Sequence, residues 1–143
     1  MNEYTLSEIA VGMKASFERT ITREMEEMFR KISGDDNPLH WDDEYAGQAG
    51  GGRFNGHVCY GMLTASLYSA MAGMYLPGKY SLIHSLEEVC FMNPVFVGDT
   101  LQVTGEVTDK DEALGLIRLK VEIRNGQGKK VSRAKMKVLV LKR

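Results

Sequence analysis

Two acids and a histidine lie close together in the stretch SGDDNPLHWDD. Asp35 and Asp36 precede an Asn37-Pro38 step, and His40 follows it. A carboxylate and an imidazole around one water can act as a general acid and base pair, and each alters the proton affinity of the other. The same residue types are typical of a polar turn in which Asp35 accepts hydrogen bonds from backbone amides and His40 packs beneath the loop. The residue types alone leave both interpretations open.

A predicted helix ends immediately before this stretch. Thr22 is a suitable N-cap for REMEEMFRKIS, which carries acids early and bases late, and Gly34 is a natural C-terminal stop. Its apolar residues recur at helical spacing: Met25, Met28, Phe29 and Ile32. Because Pro38 fixes its own φ and holds Asn37 out of the α region, the segment from Asp35 to His40 cannot continue the helix.

A second, central helix is predicted over YGMLTASLYSAMAGMYLPG, with Pro77 and Gly78 at its end. Gly61 stands at its beginning, where backbone amides stabilise developing negative charge. Since one side is apolar and the other carries only small residues, both sides are expected to be buried. The apolar side consists of Leu63, Leu67, Ala70, Met71 and Met74, and the small side of Ala65, Ser69, Ala72 and Gly73.

Most of the remaining chain alternates apolar and polar residues, as strands do. The predicted strands lie in MKASFERTIT, YSLIHSLEEVCF, LQVTGEVT, LIRLKVEIR and KKVSRAKMKVLVL. A first strand, a long helix and a meander of four strands predict an α+β domain in which one antiparallel sheet wraps the helix.

The composition is that of an ordinary globular protein, with 43% hydrophobic and 26% charged residues. With 18 basic and 19 acidic residues, no nucleic-acid partner is predicted, and no apolar run reaches the length needed to cross a membrane. Cys59 and Cys90 are far apart and are expected to be reduced, in the cytoplasm. No motif predicts a metal or a cofactor.

Other candidate residues carry weaker signals. His57 and Cys59 are close in sequence, but this alone does not predict a nucleophilic pair. His84 lies in an alternating strand and is expected to be structural or exposed. The hydroxyls of Ser66 and Ser69 usually bond carbonyls of their own helix.

The stretch SGDDNPLHWDDEYA resembles the signature of the MaoC-like (R)-specific enoyl-CoA hydratases. The resemblance continues in the same order through YGMLTASLYSAMAGMYLPG and NPVFVGDTLQVTGEVT, so it covers most of the chain. It implies a single hot-dog domain over residues 1–143, in which an antiparallel sheet wraps around a long central helix. It also implies a homodimer or higher homo-oligomer with acyl-thioester sites near the subunit interface.

The resemblance assigns roles to individual residues. It makes Asp35 and His40 the catalytic pair, and Gly61 the backbone donor to the thioester oxygen. Ser69 falls at a position near the substrate in relatives, and Asn37 is expected to orient the loop. The predicted oxyanion-binding and substrate-binding residues are Gly61, Ser69, Asn37 and Tyr60.

Asp36 and Tyr60 lie at positions where the signature varies or where many relatives carry another residue. Asp36 occupies the variable position of the signature and is therefore the less favoured acid. Many relatives carry His immediately before the Gly-Met of the central helix, whereas this chain has Tyr60, which can donate a hydrogen bond but does not titrate near neutrality. His57 is no clean replacement, because it lies three residues earlier.

The implied activity is the reversible, (R)-specific addition of water to a trans-2-enoyl thioester of coenzyme A or acyl carrier protein. A hot-dog thioesterase is the nearest enzymatic alternative, since it would direct water at the carbonyl. A non-catalytic acyl-thioester-binding protein is the other alternative, and it would not need the pair of Asp35 and His40.

Overall fold

The computed structural model describes residues 1–142, and five strands and three α-helices account for most of them. The strands are β1 (Lys14–Thr20), β2 (Ser81–Phe91), β3 (Thr100–Asp111), β4 (Leu116–Arg124) and β5 (Lys130–Val140). The helices are α1 (Arg23–Ser33), α2 (Asp43–Ala49) and α3 (Gly61–Ala70), and a π-helical turn over Met71–Tyr75 extends α3. Short 3₁₀ turns lie at Leu6–Glu8 and Pro38–His40. The predicted α+β architecture is confirmed.

The strands form one antiparallel sheet in the order β1-β3-β4-β5-β2. The predicted meander is correct for β3, β4 and β5, but wrong for β2, which pairs with β5 at the far edge instead of with β3. The connection of residues 92–99 explains the difference. It is too long for a tight hairpin, and Pro94 has no amide to give to a strand ladder, so the chain crosses to the other side of the sheet.

The inner face of the sheet carries the alternating apolar residues that the sequence predicts. Leu101, Val103 and Val107 of β3 are fully buried, and their neighbours in β4 continue the same layer. The buried residues of β4 on this face are Ile117, Leu119, Val121 and Ile123. Because burial of apolar side chains is the main favourable contribution to folding, this layer holds α3 against the sheet.

Met71, the first residue of the π-helical turn, packs closely against Gly105 of β3. A Cβ atom added to Gly105 would lie 2.8 Å from the Sδ atom of Met71. The prediction that both sides of the central helix are buried holds for Ala65 and Ala72, but not for Met74, which is 44% exposed, or for Ser69, which is also exposed. The sheet wraps only part of the helix in the single chain, so these two positions face solvent.

Helix α1 has the predicted ends. The Thr22 hydroxyl accepts a hydrogen bond from the Met25 amide at 3.2 Å, and Gly34 ends the helix with a φ of 72°. A left-handed φ of this kind favours glycine. Of the predicted apolar face, Met25 and Phe29 pack against the core, whereas Met28 and Ile32 are exposed. The helix therefore rests on the core along a narrow contact and leads directly into the loop with the two acids.

Within residues 1–142, no helix is long and apolar enough to cross a membrane. Cys59 and Cys90 are free thiols, as the sequence predicts.

Candidate functional site

The loop after α1 is held in shape by its own side chains. The Asp35 carboxylate accepts a hydrogen bond from the Asn37 amide at 3.1 Å, and the Asn37 side-chain oxygen accepts one from the Leu39 amide at 3.1 Å. Pro38 begins the 3₁₀ turn that ends at His40. The predicted turn chemistry is therefore present, and the role of Asn37 in orienting the loop stays a prediction. The Asp35 side chain remains exposed to solvent.

The two adjacent acids have different surroundings. Asp36 forms an ion pair with Arg30 of α1, and the Arg30 guanidinium lies 4.6 Å from the centre of the Trp41 ring. The Trp41 indole in turn donates to the Asp36 carbonyl at 3.1 Å. These contacts hold Asp36 on the outer surface of α1.

His40 is half-buried and fixed at one ring nitrogen. Its Nδ1 lies 2.7 Å from the Val58 carbonyl oxygen. A carbonyl oxygen can only accept, so Nδ1 carries the hydrogen and donates it. In the neutral ring, Nε2 is consequently left without a hydrogen and can accept a proton.

Tyr60 joins the two residues that the sequence identifies as a catalytic pair. Its ring stacks on the His40 ring with 4.1 Å between centroids, and its hydroxyl donates to the Asp35 carbonyl oxygen at 2.9 Å. Burial raises the pKa of Tyr60 above its ordinary value, and the negative charge of Asp35 raises it further. Tyr60 therefore stays a neutral donor that connects the loop to the start of α3.

An apolar cleft of about 350 Å³ opens beside His40 and Gly61. Gly61 is the first residue of α3, and no side chain caps this end of the helix. The aromatic ring of Phe91 borders Gly61, since a Cβ added there would lie 3.4 Å from it. The buried Thr64 hydroxyl has no hydrogen-bond partner among residues 1–142. The cleft is lined by His40, Phe54, Val58, Cys59, Gly61, Thr64, Phe91, Met92, Asn93, Pro94, Val95 and Val131.

A second, polar cleft of about 200 Å³ lies on the other side of His40. It is lined by Arg23, Glu26, Glu27, Arg30, His40, Trp41, His57 and Tyr60. His40 is thus the side chain that both clefts share. Within residues 1–142, no group of three or more His, Cys, Asp or Glu side chains is arranged to hold a metal ion.

The structure does not pair His57 with Cys59. Cys59 is 3% exposed, and burial raises the pKa of its thiol to about 12, so it is not a thiolate near neutral pH. His57 instead contacts Glu26 and Asp43. No pattern in the sequence predicts this contact, because the three residues lie in separate segments.

Neither the serines of α3 nor His84 line the two clefts beside His40. Ser66 donates to the Leu63 carbonyl at 2.6 Å, which is the expected bond within the helix. Ser69 is exposed, is not among the residues that line the cleft at Gly61, and stays a prediction as a substrate contact. His84 is exposed on β2, as the sequence predicts.

Comparison with known proteins gives consistent results. The family model described as MaoC like domain matches residues 6–131. The chain is 38% identical over 100 residues to the (R)-specific enoyl-CoA hydratase of Aeromonas caviae, covering 70% of this chain and 72% of that protein.

Solved structures of R-hydratases superpose closely on the chain. The unliganded R-hydratase PhaJ1 from Pseudomonas aeruginosa has a TM-score of 0.87 and 29% identity, covering 97% of this chain and 86% of that one. The (R)-hydratase from A. caviae involved in PHA biosynthesis has a TM-score of 0.85 and 32% identity, covering 92% and 97%. The predicted hot-dog fold is thereby confirmed.

Proposed function

Because the chain belongs to the MaoC-like domain family, we propose that it catalyses the reversible, (R)-specific hydration of trans-2-enoyl thioesters. The observation that supports this most directly is the position of His40. Its free Nε2 edge belongs to a ring that lines the apolar cleft together with Gly61, and Tyr60 ties the same ring to the loop of Asp35. The hydration needs an acid and base pair, an apolar acyl site and a donor to the thioester oxygen.

In the proposed reaction, Asp35 and His40 hold one water and manage its protons. Nε2 of His40 takes a proton from the water as its oxygen forms a bond to C3, and the π electrons of the C2–C3 bond move toward the thioester carbonyl to give an enolate. The protonated His40 then returns that proton to C2, which leaves a C2–C3 single bond and a neutral imidazole. Positioned groups of this kind contribute about 10²- to 10⁴-fold in rate. The reverse sequence dehydrates an (R)-3-hydroxyacyl thioester.

Gly61 supplies the remaining element of the proposal. Its backbone amide lies at the uncapped start of α3, where the helix dipole favours negative charge. As the enolate develops, this amide would donate to the thioester oxygen, and loss of such a donor elsewhere costs on the order of 10²- to 10³-fold. The adjacent Phe91 ring and the apolar wall of the cleft would hold the acyl chain.

One assay tests the function against its alternatives. Purified protein is mixed with a short trans-2-enoyl-CoA, and loss of the conjugated double bond and release of free thiol are followed together. We expect loss of the double bond without thiol release, and an (R)-3-hydroxyacyl product by chiral chromatography. Thiol release would indicate a thioesterase, and binding without turnover a non-catalytic acyl-thioester-binding protein. A matched assay with the acyl carrier protein thioester distinguishes the two carriers.

The Tyr60 hydroxyl gives the proposal a specific test. Tyr60→Phe removes the hydrogen bond to the Asp35 carbonyl but retains the ring on His40. Since one such bond contributes about 0.5 to 1.5 kcal/mol, we expect a roughly 2- to 10-fold lower kcat. Tyr60→Leu also removes the ring and should cost more. Equal activity of Tyr60→Phe and the wild-type protein, measured by steady-state kinetics, would contradict the role of this bond.

We also propose that the active form is a homodimer that meets along β2. This strand is at the edge of the sheet, where unpaired backbone N–H and C=O groups can form hydrogen bonds with a strand of another chain. It exposes large apolar side chains, with Leu82 53%, Ile83 40% and Leu86 38% exposed. Phe91, at the end of the same strand, borders Gly61, so a partner on β2 would lie next to the apolar cleft.

Sedimentation velocity tests the dimer. Leu86→Glu places a charge on the proposed interface, and we expect it to shift the protein to monomer and to lower hydratase activity. Leu114→Glu is the control, because Leu114 is 66% exposed in the turn between β3 and β4 and is not part of β2. A Leu86→Glu protein that remains dimeric would place the interface elsewhere.

The proposal includes a cytoplasmic location, which the two free thiols support, since reducing compartments keep cysteines unpaired.

A further inference from the structure

His57 lies between two carboxylates that belong to two different helices. Its Nδ1 is 2.6 Å from Asp43 Oδ1, and its Nε2 is 3.0 Å from Glu26 Oε2. An ionised carboxylate can only accept, so each contact needs a proton between the nitrogen and the oxygen. A neutral imidazole supplies only one of these two protons. The arrangement therefore fits a positively charged His57 between two negative groups.

His57 thus forms a bridge between Asp43 and Glu26, and the Glu26 side of this bridge is buried. Glu26 is 5% exposed, and its Oε2 contacts the His57 ring. A buried carboxylate without a counter-charge is strongly unfavourable, so His57 is the group that balances it. The side chain of Asp43, by contrast, is 68% exposed.

Further charged groups face the bridge from the elements packed around it. Arg23 of α1 helps to lower the pKa of Asp43, after the backbone and side-chain hydrogen bonds from His57. Cys59 lies close to Glu26, whose charge adds to the burial that raises the pKa of the thiol. The polar cleft beside His57 also contains Glu27, Arg30, His40 and Tyr60.

The bridge has a defined pH dependence. Burial lowers the pKa of His57, but the hydrogen bonds and charges of Asp43 and Glu26 outweigh it, so the pKa is raised above the ordinary 6.5. The folded protein thus holds this proton more tightly than the unfolded chain. The stabilisation is fully present below about pH 6.5 and is lost as the pH rises through the folded-state pKa.

Backbone hydrogen bonds of His57 and Val58 connect the bridge to His40. The His57 amide donates to Asp43 Oδ1 at 2.8 Å, and the next residue is Val58. The Val58 amide donates to the Leu39 carbonyl at 3.0 Å, and the Val58 carbonyl accepts from His40 Nδ1 at 2.7 Å. Contacts that hold the backbone at His57 therefore also hold the Val58 carbonyl. This carbonyl accepts from His40 Nδ1 and so leaves His40 Nε2 free.

We propose that His57 is a positioning residue: its bridge to Glu26 and Asp43 holds the Val58 carbonyl in place and thereby keeps His40 in the Nδ1–H form. The inference deepens the proposed hydratase function and rests on it for its effect on rate. Loss of the His57 proton at alkaline pH weakens the bridge, so the population of correctly oriented His40 falls.

Nitrogen NMR of the three histidine rings tests this without turnover. In the wild-type protein we expect His40 in the Nδ1–H form and His57 protonated at both nitrogens at pH 6. His57→Gln should give His40 as a mixture of tautomers. Asp43→Asn should lower the pKa of His57, because it removes the charge that raises it. Asp43→Asn also serves as the second variant if His57→Gln fails to fold, since the Asp43 side chain is exposed.

Kinetics separate positioning from general stabilisation. His57→Gln should lower kcat on the order of 10-fold to 100-fold with KM changed less than about 2-fold, because a displaced catalytic group loses rate without losing substrate binding. In Asp43→Asn the alkaline fall of kcat should move to lower pH. Glu24→Gln changes an exposed acid on α1, the helix that carries Glu26; it is the control and should match the wild-type protein.

The outcomes are distinct. An unchanged His40 tautomer in folded His57→Gln protein, or an unchanged alkaline fall of kcat in Asp43→Asn, would overturn the inference. If the wild-type protein has no hydratase activity, the proposed function fails, and the tautomer comparison still decides whether His57 positions His40.

Discussion

Asp35→Asn should lower the rate of enoyl thioester hydration by about 10²- to 10⁴-fold. The substitution removes the charge and the proton-accepting capacity of Asp35 but keeps its shape. The Asn side-chain oxygen can still accept from the Asn37 amide, which is the bond that shapes the loop. The backbone carbonyl that accepts from Tyr60 is unchanged as well. We therefore expect a folded protein with an intact His40 environment and very low kcat.

Asp36→Asn is the matched control for this experiment. It makes the same chemical change one residue away, on the acid that pairs with Arg30 and that lines neither of the two clefts beside His40. Exposed ion pairs contribute only about 0 to 1 kcal/mol, so both stability and kcat should stay near the wild-type values. A larger loss in Asp36→Asn than in Asp35→Asn, measured by loss of double-bond absorbance, would reverse the assignment of the two acids.

Replacement of His40 should have an effect of similar size. His40→Ala removes the free Nε2, and with it the group that takes the proton from water, so we expect about 10²- to 10⁴-fold lower kcat. The same change removes the ring that stacks on Tyr60. His40→Phe keeps an aromatic ring at this position, which separates loss of packing from loss of the nitrogen. Both variants should be inactive, and circular dichroism should show a native fold.

Two further measurements distinguish chemistry from packing at His40. Added imidazole should partly restore activity to His40→Ala, where the space is open, but not to His40→Phe. The double variant of Asp35→Asn and His40→Ala should be little worse than either single variant, because two groups that act on one water lose their effect together. Fully additive losses would mean that the two residues act in separate steps.

Local structure was predictable because its signals are local. The helix from Thr22 to Gly34 has a capping side chain at one end and a glycine in the left-handed region at the other, and both signals lie within a few residues of where they act. The loop after it follows from the Asn37-Pro38 step in the same way. The inner faces of β3 and β4 follow from strict alternation of residue types.

Contacts between distant segments were not predictable from these patterns. The alternation in β2 predicts a strand, but it does not say that the strand pairs with β5 instead of β3. The bond from Tyr60 to Asp35 joins residues 25 positions apart, and the contact of His57 with Glu26 spans 31. Burial of Glu26 gives no sequence signal either, because an acid on a helix usually faces water.

In the candidate site, too, the identity of the residues was predictable from the sequence, but the contacts that hold them were not. The signature predicts which residues to consider; of these, His40 and Gly61 line one apolar cleft, whereas Asp35 and Asn37 are not among its lining residues. The means by which the chain holds them, through Tyr60 on one side and His57 on the other, appear only in three dimensions.

The position of β2 also sets an order of events during synthesis. Its only strand neighbour within the described chain is β5, which leaves the ribosome after β3 and β4. Until then, β2 has no strand to pair with, and unpaired strands of this kind aggregate readily in incomplete chains. Nascent chains that stall before β5 would therefore be natural clients of chaperones that shield exposed apolar segments.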